Sequence, residues 1–282
     1  MAIEHFIPEM WADATLLPMN DATVYGAVVN REYQTKIINA GDTVNINSFA
    51  KPTISSYTKN GAISAPQTLV SSQVQLLINQ QDYFNFEIDD IDKAQQVPKI
   101  MMDAMGEAGD GFAQEMDEYI ASLHAGVAAA NIVGLGNDTT AVVPTKSDIY
   151  LYFTQAAMLL DEANVPMTNR WVVIPPWMKK LLTDSGEFTR ATSLGDTVVT
   201  NGLIGSVAGF KVYVSNNVDN TAGAKYKVMF GYPGAITLAE QINKLEAYRP
   251  EGSFSDAIKG LHVYGAKLVR DTGIAVMTAS KS

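Results

Sequence analysis

The 282-residue chain contains no cysteine. Disulfide frameworks, thiolate metal sites and cysteine nucleophiles are therefore excluded. Histidine is scarce: His5, His124 and His262 fall in three separate segments. None has a second ligand type at metal spacing, and no His-Glu-x-x-His occurs, so they read as one exposed and two packing residues. Positive charge is also short. Lys and Arg number 20 against 30 Asp and Glu, for a net charge of −10. A protein that grips phosphate backbones needs the opposite balance. There is no long apolar run either. The stretch from Ala125 to Gly136 is interrupted by Asn131 and falls short of the ~20 residues that cross a bilayer. The first residues, Met1 to Pro8, lack a basic region and an apolar core of a targeting segment. The expectation is a soluble product with no membrane partner.

Catalytic patterns are missing as well. Gly202, Gly205 and Gly209 are not followed by Gly-Lys-Ser/Thr, so they do not form a phosphate loop. Gly134-x-Gly136 lacks the third glycine and preceding strand of a dinucleotide site. No Gly-x-Ser-x-Gly elbow occurs. The run Glu87-Ile88-Asp89-Asp90-Ile91-Asp92 lacks the spacing of a calcium loop; Asp89 or Asp90 reads more simply as the cap of a following helix. No catalytic, cofactor or metal residues are assigned, and the chain does not read as an enzyme.

What is present is an unusual order of elements. A 47% hydrophobic content with 18% charged residues fits a folded core. Residues 1–38 have single apolar residues, Trp11 among them, and no sustained period, so they read as an arm that buries its aromatics elsewhere. Alternation at Val44/Ile46, Val74/Leu76/Ile78 and Phe84/Phe86/Ile88 predicts strands. Between them, Ser48 to Ser72 is poor in large apolar residues, and Lys59-Asn60-Gly61 is a hairpin-turn signal. This is a β-ribbon with little core of its own, marginal alone in water.

From Val97, apolar residues recur at Met101, Met105, Ala108, Phe112, Met116, Ile120, Leu123 and Val127. The period predicts a helix over about 94–130. Gly106, Gly109 and Gly111 sit in its middle and mark a candidate hinge. No Lys or Arg lies between Lys99 and Lys146, while Asp103, Glu107, Asp110, Glu115, Asp117 and Glu118 do. One helix face thus carries unneutralised negative charge. A second helix follows Ser147-Asp148, then a buried strand Arg170 to Pro176, a short helix from Trp177, and strands at Phe210–Val214 and Tyr226–Phe230. Residues 235–242 fit strand or short helix. His262–Tyr264 and Ile274–Met277 are expected to close one sheet.

Several stretches, in order, carry a family resemblance. They are Ala40-Gly41-Asp42-Thr43-Val44-Asn45-Ile46, the run from Asp82 to Gln95, Leu160-Asp161-Glu162-Ala163-Asn164-Val165-Pro166 with Arg170 to Pro176, and Gly205-x-x-x-Gly209-Phe210-Lys211-Val212-Tyr213-Val214-Ser215-Asn216-Asn217. The chain resembles the major capsid proteins of tailed bacteriophages with the Hong Kong 97-type fold. The resemblance implies an α+β fold with an N-terminal arm (1–38) and an extended β-hairpin loop (39–85). It also implies a peripheral domain (86–131 and 243–272) around the spine helix and an axial domain (132–242 and 273–282).

By the same resemblance, the chain is a structural coat protein. It self-assembles into pentamers and hexamers of an icosahedral shell in the virion, and it is made in the host cytoplasm. Its expected partners are itself, a separate scaffolding protein, a portal protein and packaged double-stranded DNA without sequence-specific contacts. Candidate intersubunit contacts are Trp11, Tyr57, Lys59, Asn60, Arg249 and Glu251. Some relatives cross-link a lysine placed like Lys59 to a neighbour's asparagine; here Lys59-Asn60-Gly61 reads as a soluble turn. The same fold also serves encapsulin-like compartments that enclose proteins. A soluble acidic α/β hydrolase is the alternative from another class, and it leaves the long helix unexplained.

Overall fold

The computed structural model describes residues 23–33, 43–49, 52–60, 65–68, 71–89, 100–134, 140–185, 203–252 and 254–281. Trp11, most of residues 1–38 and the 186–202 stretch lie outside them. A short helix α1 (Tyr25–Val28) precedes the ribbon strands β1 (Thr43–Phe49) and β2 (Ser71–Leu77). These pair antiparallel, Thr43 opposite Leu77 and Phe49 opposite Ser71. Strand β3 (Gln80–Asp89) joins β9 (Ile236–Tyr248) and β10 (Ser255–Leu268) in a three-stranded sheet ordered β3-β10-β9.

The second sheet contains β4 (Trp171–Ile174), β5 (Leu203–Val207), β6 (Phe210–Val214), β8 (Lys225–Gly231) and β11 (Ile274–Ser280), in the order β11-β8-β4-β6-β5; the two-residue β7 (Asn220–Thr221) pairs with β8. The residues of β4 show why it has helices on one side and a second layer on the other: all four are buried. Val172 and Ile174 face one core with Phe153, Phe210 and Phe230. Trp171 and Val173 face another with Tyr25, Met116 and Ile120. A strand buried on both faces reads as a continuous apolar run.

Helix α2 (Ile100–Ser122) joins the two sheets. Phe112 and Ala113 pack on Phe84 of β3, while Met116, Ile120 and Ala121 pack against the six-stranded sheet. The helix spans ~35 Å at 1.5 Å per residue. The sequence period carried it on to about 130, but after Ser122 the chain tightens into 3-10 turns at Leu123–Gly126 and Ala129–Asn131. Helix ends commonly tighten in this way where the final carbonyls lack partners further along.

Helix α3 (Ile149–Glu162) buries Ile149, Phe153, Ala156 and Leu160 on the first face of the six-stranded sheet. Its N-cap Asp148 makes no side-chain capping bond. Helix α4 (Pro176–Asp184) starts on a proline whose missing N–H costs nothing in the first turn.

Other expectations change. Residues 236–248 form one long strand, β9. Asp89 ends β3 opposite Ser255; Asp90 and the stretch up to 99, where a capped helix start was expected, lie outside the described residues. His262–Tyr264 and Ile274–Met277 do not share a sheet: they belong to β10 and β11, in different layers. A short alternating run does not name its partner strand, which is chosen by distant packing.

Candidate assembly interface

The ribbon is rooted on the sheet and bare beyond it. Val44, Ile46, Leu76 and Ile78 bury against Ala239 and Val263. Gly265 lets this happen, because a Cβ there would stand 2.4 Å from the Leu77 carbonyl oxygen. Beyond the root, residues 52–60 and 65–68 are all exposed, with Ile54 at 86% and Tyr57 at 68%. The Thr53 N–H donates to Gln67 Oε1 across the two sides. Asn60 adopts φ +64°, the left-handed conformation a tight tip demands.

Of the contact residues expected from sequence, Tyr57, Lys59 and Asn60 therefore stand together at the exposed tip. Arg249 and Glu251 are exposed in the turn between β9 and β10, with Arg249 Nε 4.0 Å from Asp256 Oδ1. Gly106 and Gly111 have open space where a Cβ would go, and the helix runs unbroken through all three glycines.

The acidic face of α2 is real but one residue smaller than the sequence implied. Asp103, Glu107, Asp110, Glu115 and Glu118 are exposed, and Gln114 Nε2 donates to Glu118 Oε1. Asp117 instead is fully buried. Its carboxylate accepts from the N–H groups of Val24 and Gly26, fastening α1 to the helix. Burial pushes its pKa up to about 6, although these backbone bonds pull the other way. The signal was in the sequence: Asp117 sits at helical spacing from the apolar Ala113, Ile120 and Ala121.

A second polar cluster, also missed, lies between α2 and the three-stranded sheet. His262 is fully buried, its ring 5.2 Å from that of Phe112 and 4.9 Å from that of Tyr264. Its cross-strand neighbour is Asp82, and Glu240 Oε2 lies 3.9 Å from Nε2. Burial drives its pKa down to about 4, against the pull of Asp82. Arg31 Nη1 donates to Glu240 at 2.6 Å, tying the chain before the ribbon to β9. Both clusters hold elements together. Among the described residues, no group of three or more His, Asp or Glu is placed to hold a metal ion, and no helix is long and apolar enough to cross a membrane.

The fold matches known proteins. The family model described as phage capsid protein matches residues 71–277. The chain belongs to the phage capsid protein family. A solved structure from Mycobacterium phage Che8 is 30% identical, with 90% of each chain covered and a TM-score of 0.70. The capsid of cyanophage P-SCSP1u is 17% identical over 93% of this chain and 89% of that one, with a TM-score of 0.69. A virus-like particle from Pyrococcus furiosus, 12% identical over 96% of this chain and 99% of that one, shares the fold at a TM-score of 0.60. Sequence comparison with curated proteins gives no match. The capsid protein is thus a major capsid protein: a structural component of the virion with the α+β capsid fold, which self-assembles into a shell.

Proposed function

We propose that this capsid protein forms the pentamers and hexamers of an icosahedral shell around double-stranded DNA, and that it has no enzymatic role. The observation that carries this reading is the ribbon tip, where Ile54 and Tyr57 stand at 86% and 68% exposure with no core beneath them. Exposing such side chains is costly for an isolated subunit and rewarding for one that buries them on a neighbour. The acidic stripe on α2 supports the rest: a wall that repels phosphate lets DNA fill the shell without holding it tightly.

In this reading 1–38 is the arm and 39–85 the extended loop. Residues 86–131 and 243–272 form the peripheral domain, and 132–242 with 273–282 the axial domain. A separate scaffolding protein guides assembly and a portal protein occupies one vertex. Tyr57, Lys59, Asn60, Arg249 and Glu251 are contact residues, as is Trp11 in the arm, and Gly106, Gly109 and Gly111 let α2 bend as the shell expands. Lys59 is a solvated tip, so a denaturing gel of intact particles is expected to give one band at monomer mass; a ladder would show covalent cross-linking instead.

Sedimentation and negative-stain imaging of the purified protein, alone and with the scaffolding protein of its own genome, test the reading. Closed shells of megadalton mass are expected. A persistent monomer or dimer under both conditions overturns it, and particles that carry protein cargo in place of DNA favour a compartment.

A further inference from the structure

Helix α3 is unusual for a surface helix in its lack of charge. From Ile149 to Leu160 it has no Asp, Glu, Lys or Arg. Its buried face accounts for only part of this. On the outward side Leu151 is 65% exposed, Met158 50% and Tyr150 40%. Leu151, Met158 and Glu162 fall on one line at spacings of seven and four, close to whole turns. The stripe therefore runs from apolar to acidic, ending at the exposed Asp161 and Glu162. Asp161 already accepts from Arg170 Nη2 at 2.7 Å, which leaves Glu162 as the acidic end that faces outward.

Helix α4 offers the complement. Met178 and Leu182 bury on the same sheet face that α3 covers, and Lys179 and Lys180 are exposed. The two helices touch each other on that face, with their far flanks toward opposite edges of the sheet. Helix α3 packs against β11, one edge strand. Helix α4 lies in the crossover that leads from β4 to β5 and β6, on the other side.

We propose that the outward face of α3 in one copy of the chain packs against the Lys179–Lys180 side of α4 in the next copy, with Glu162 meeting these lysines. The occupant is a second copy because of charge. Each chain carries a net −10, so copies repel wherever acidic surfaces meet, as at the α2 stripe. Contact is favoured where an uncharged face ends in an acid and the facing surface is basic. Two different patches on one subunit make a head-to-tail contact, the kind that closes into rings. This inference rests on the shell reading and specifies one of its interfaces.

The test is shell formation by the full-length chain with its scaffolding protein, read by sedimentation and negative stain. Thermal melting of each variant reports whether its subunit folds. Leu151→Asp with Met158→Asp is expected to lower shell yield at least about tenfold while the melting curve of the subunit stays cooperative. Glu162→Lys, and Lys179→Glu with Lys180→Glu, are each expected to lower the yield, and the three changes combined to restore it. That rescue separates an interface from a folding defect, because a misfolded subunit is not repaired by a second lesion. Wild-type yield from the Leu151/Met158 variant, or no rescue by the combined charge swap, overturns the interface and leaves the shell reading standing. A wild-type chain that forms no shells overturns both.

Discussion

The Asp117 carboxylate accepts a 2.8 Å hydrogen bond from the backbone N–H of Val24, across 93 positions of sequence. A second, from Gly26 at 3.1 Å, uses its other oxygen. The contact clamps α1 onto the helix that spans both sheets.

Asp117→Ala strands two backbone donors and is expected to cost about 1–3 kcal/mol of subunit stability. Asp117→Asn keeps one acceptor and cannot ionise. With a folded pKa near 6 against an ordinary 3.8, the native state binds the proton more tightly than the unfolded chain. The Asp117 contribution is then full below about pH 4 and lost as pH rises through 6. Urea midpoints from pH 7 to 4 should show wild type gaining about 2–3 kcal/mol on Asp117→Asn. A constant difference would mean that the carboxylate is not desolvated.

His262 works in the opposite direction over nearly the same range. Its folded pKa near 4 lies below the ordinary 6.5, so the unfolded chain takes up the proton first. Stability is full above about 6.5 and lost as pH falls toward 4. The groups facing it are Asp82 on β3, Glu240 on β9, Phe112 on α2 and Tyr264 on β10. His262→Phe fills the slot without titrating, and should exceed wild type by about 2 kcal/mol more at pH 5 than at pH 7. Equal differences at the two pH values would show that water already reaches the ring.

Gly106→Ala and Gly111→Ala place a methyl group in open space. Each should stabilise α2 by up to about 1 kcal/mol, raising the melting temperature. If the glycines also serve as the hinge, shells of the double variant expand more slowly than wild type, followed by the change in sedimentation rate. Normal expansion with raised stability would leave them as helix glycines only.

Gly265→Ala drives a Cβ into the Leu77 carbonyl. The neighbour is backbone, so the ribbon root must lift from the sheet, at about 1–3 kcal/mol. Hydrogen exchange should then quicken across β1 and β2 while the six-stranded sheet keeps its protection. Unchanged exchange at Val44, Ile46 and Leu76 would refute the seating described for the root.

Much of this was legible in the residues. The helical period through Met105, Phe112, Met116 and Ile120 located α2, because every one of those side chains is buried. The Lys59-Asn60-Gly61 signal located the ribbon tip, because a left-handed residue is needed there and Asn tolerates it. Asp117 was counted with its acidic neighbours because charge by itself does not say which way a side chain faces. Its spacing from Ala113 and Ile120 was the available hint. Two of the three histidines were expected to pack, and His262 does, but the carboxylates around it come from β3 and β9, distant in sequence.

The sequence by itself determined local matters: which segments are helix or strand, where the turn falls, that the chain is acidic, and the ordered stretches that mark its family. Backbone preference and side-chain period act over a few residues, so one strand of text carries them. Only the tertiary structure decided that β10 and β11 part into different sheets, that Asp117 turns inward to hold Val24, and that His262 lies between Phe112 and Tyr264. Each of these depends on which distant segment supplies the opposing surface. Burial and pairing are properties of two surfaces in contact, and the contact exists only once the chain has folded.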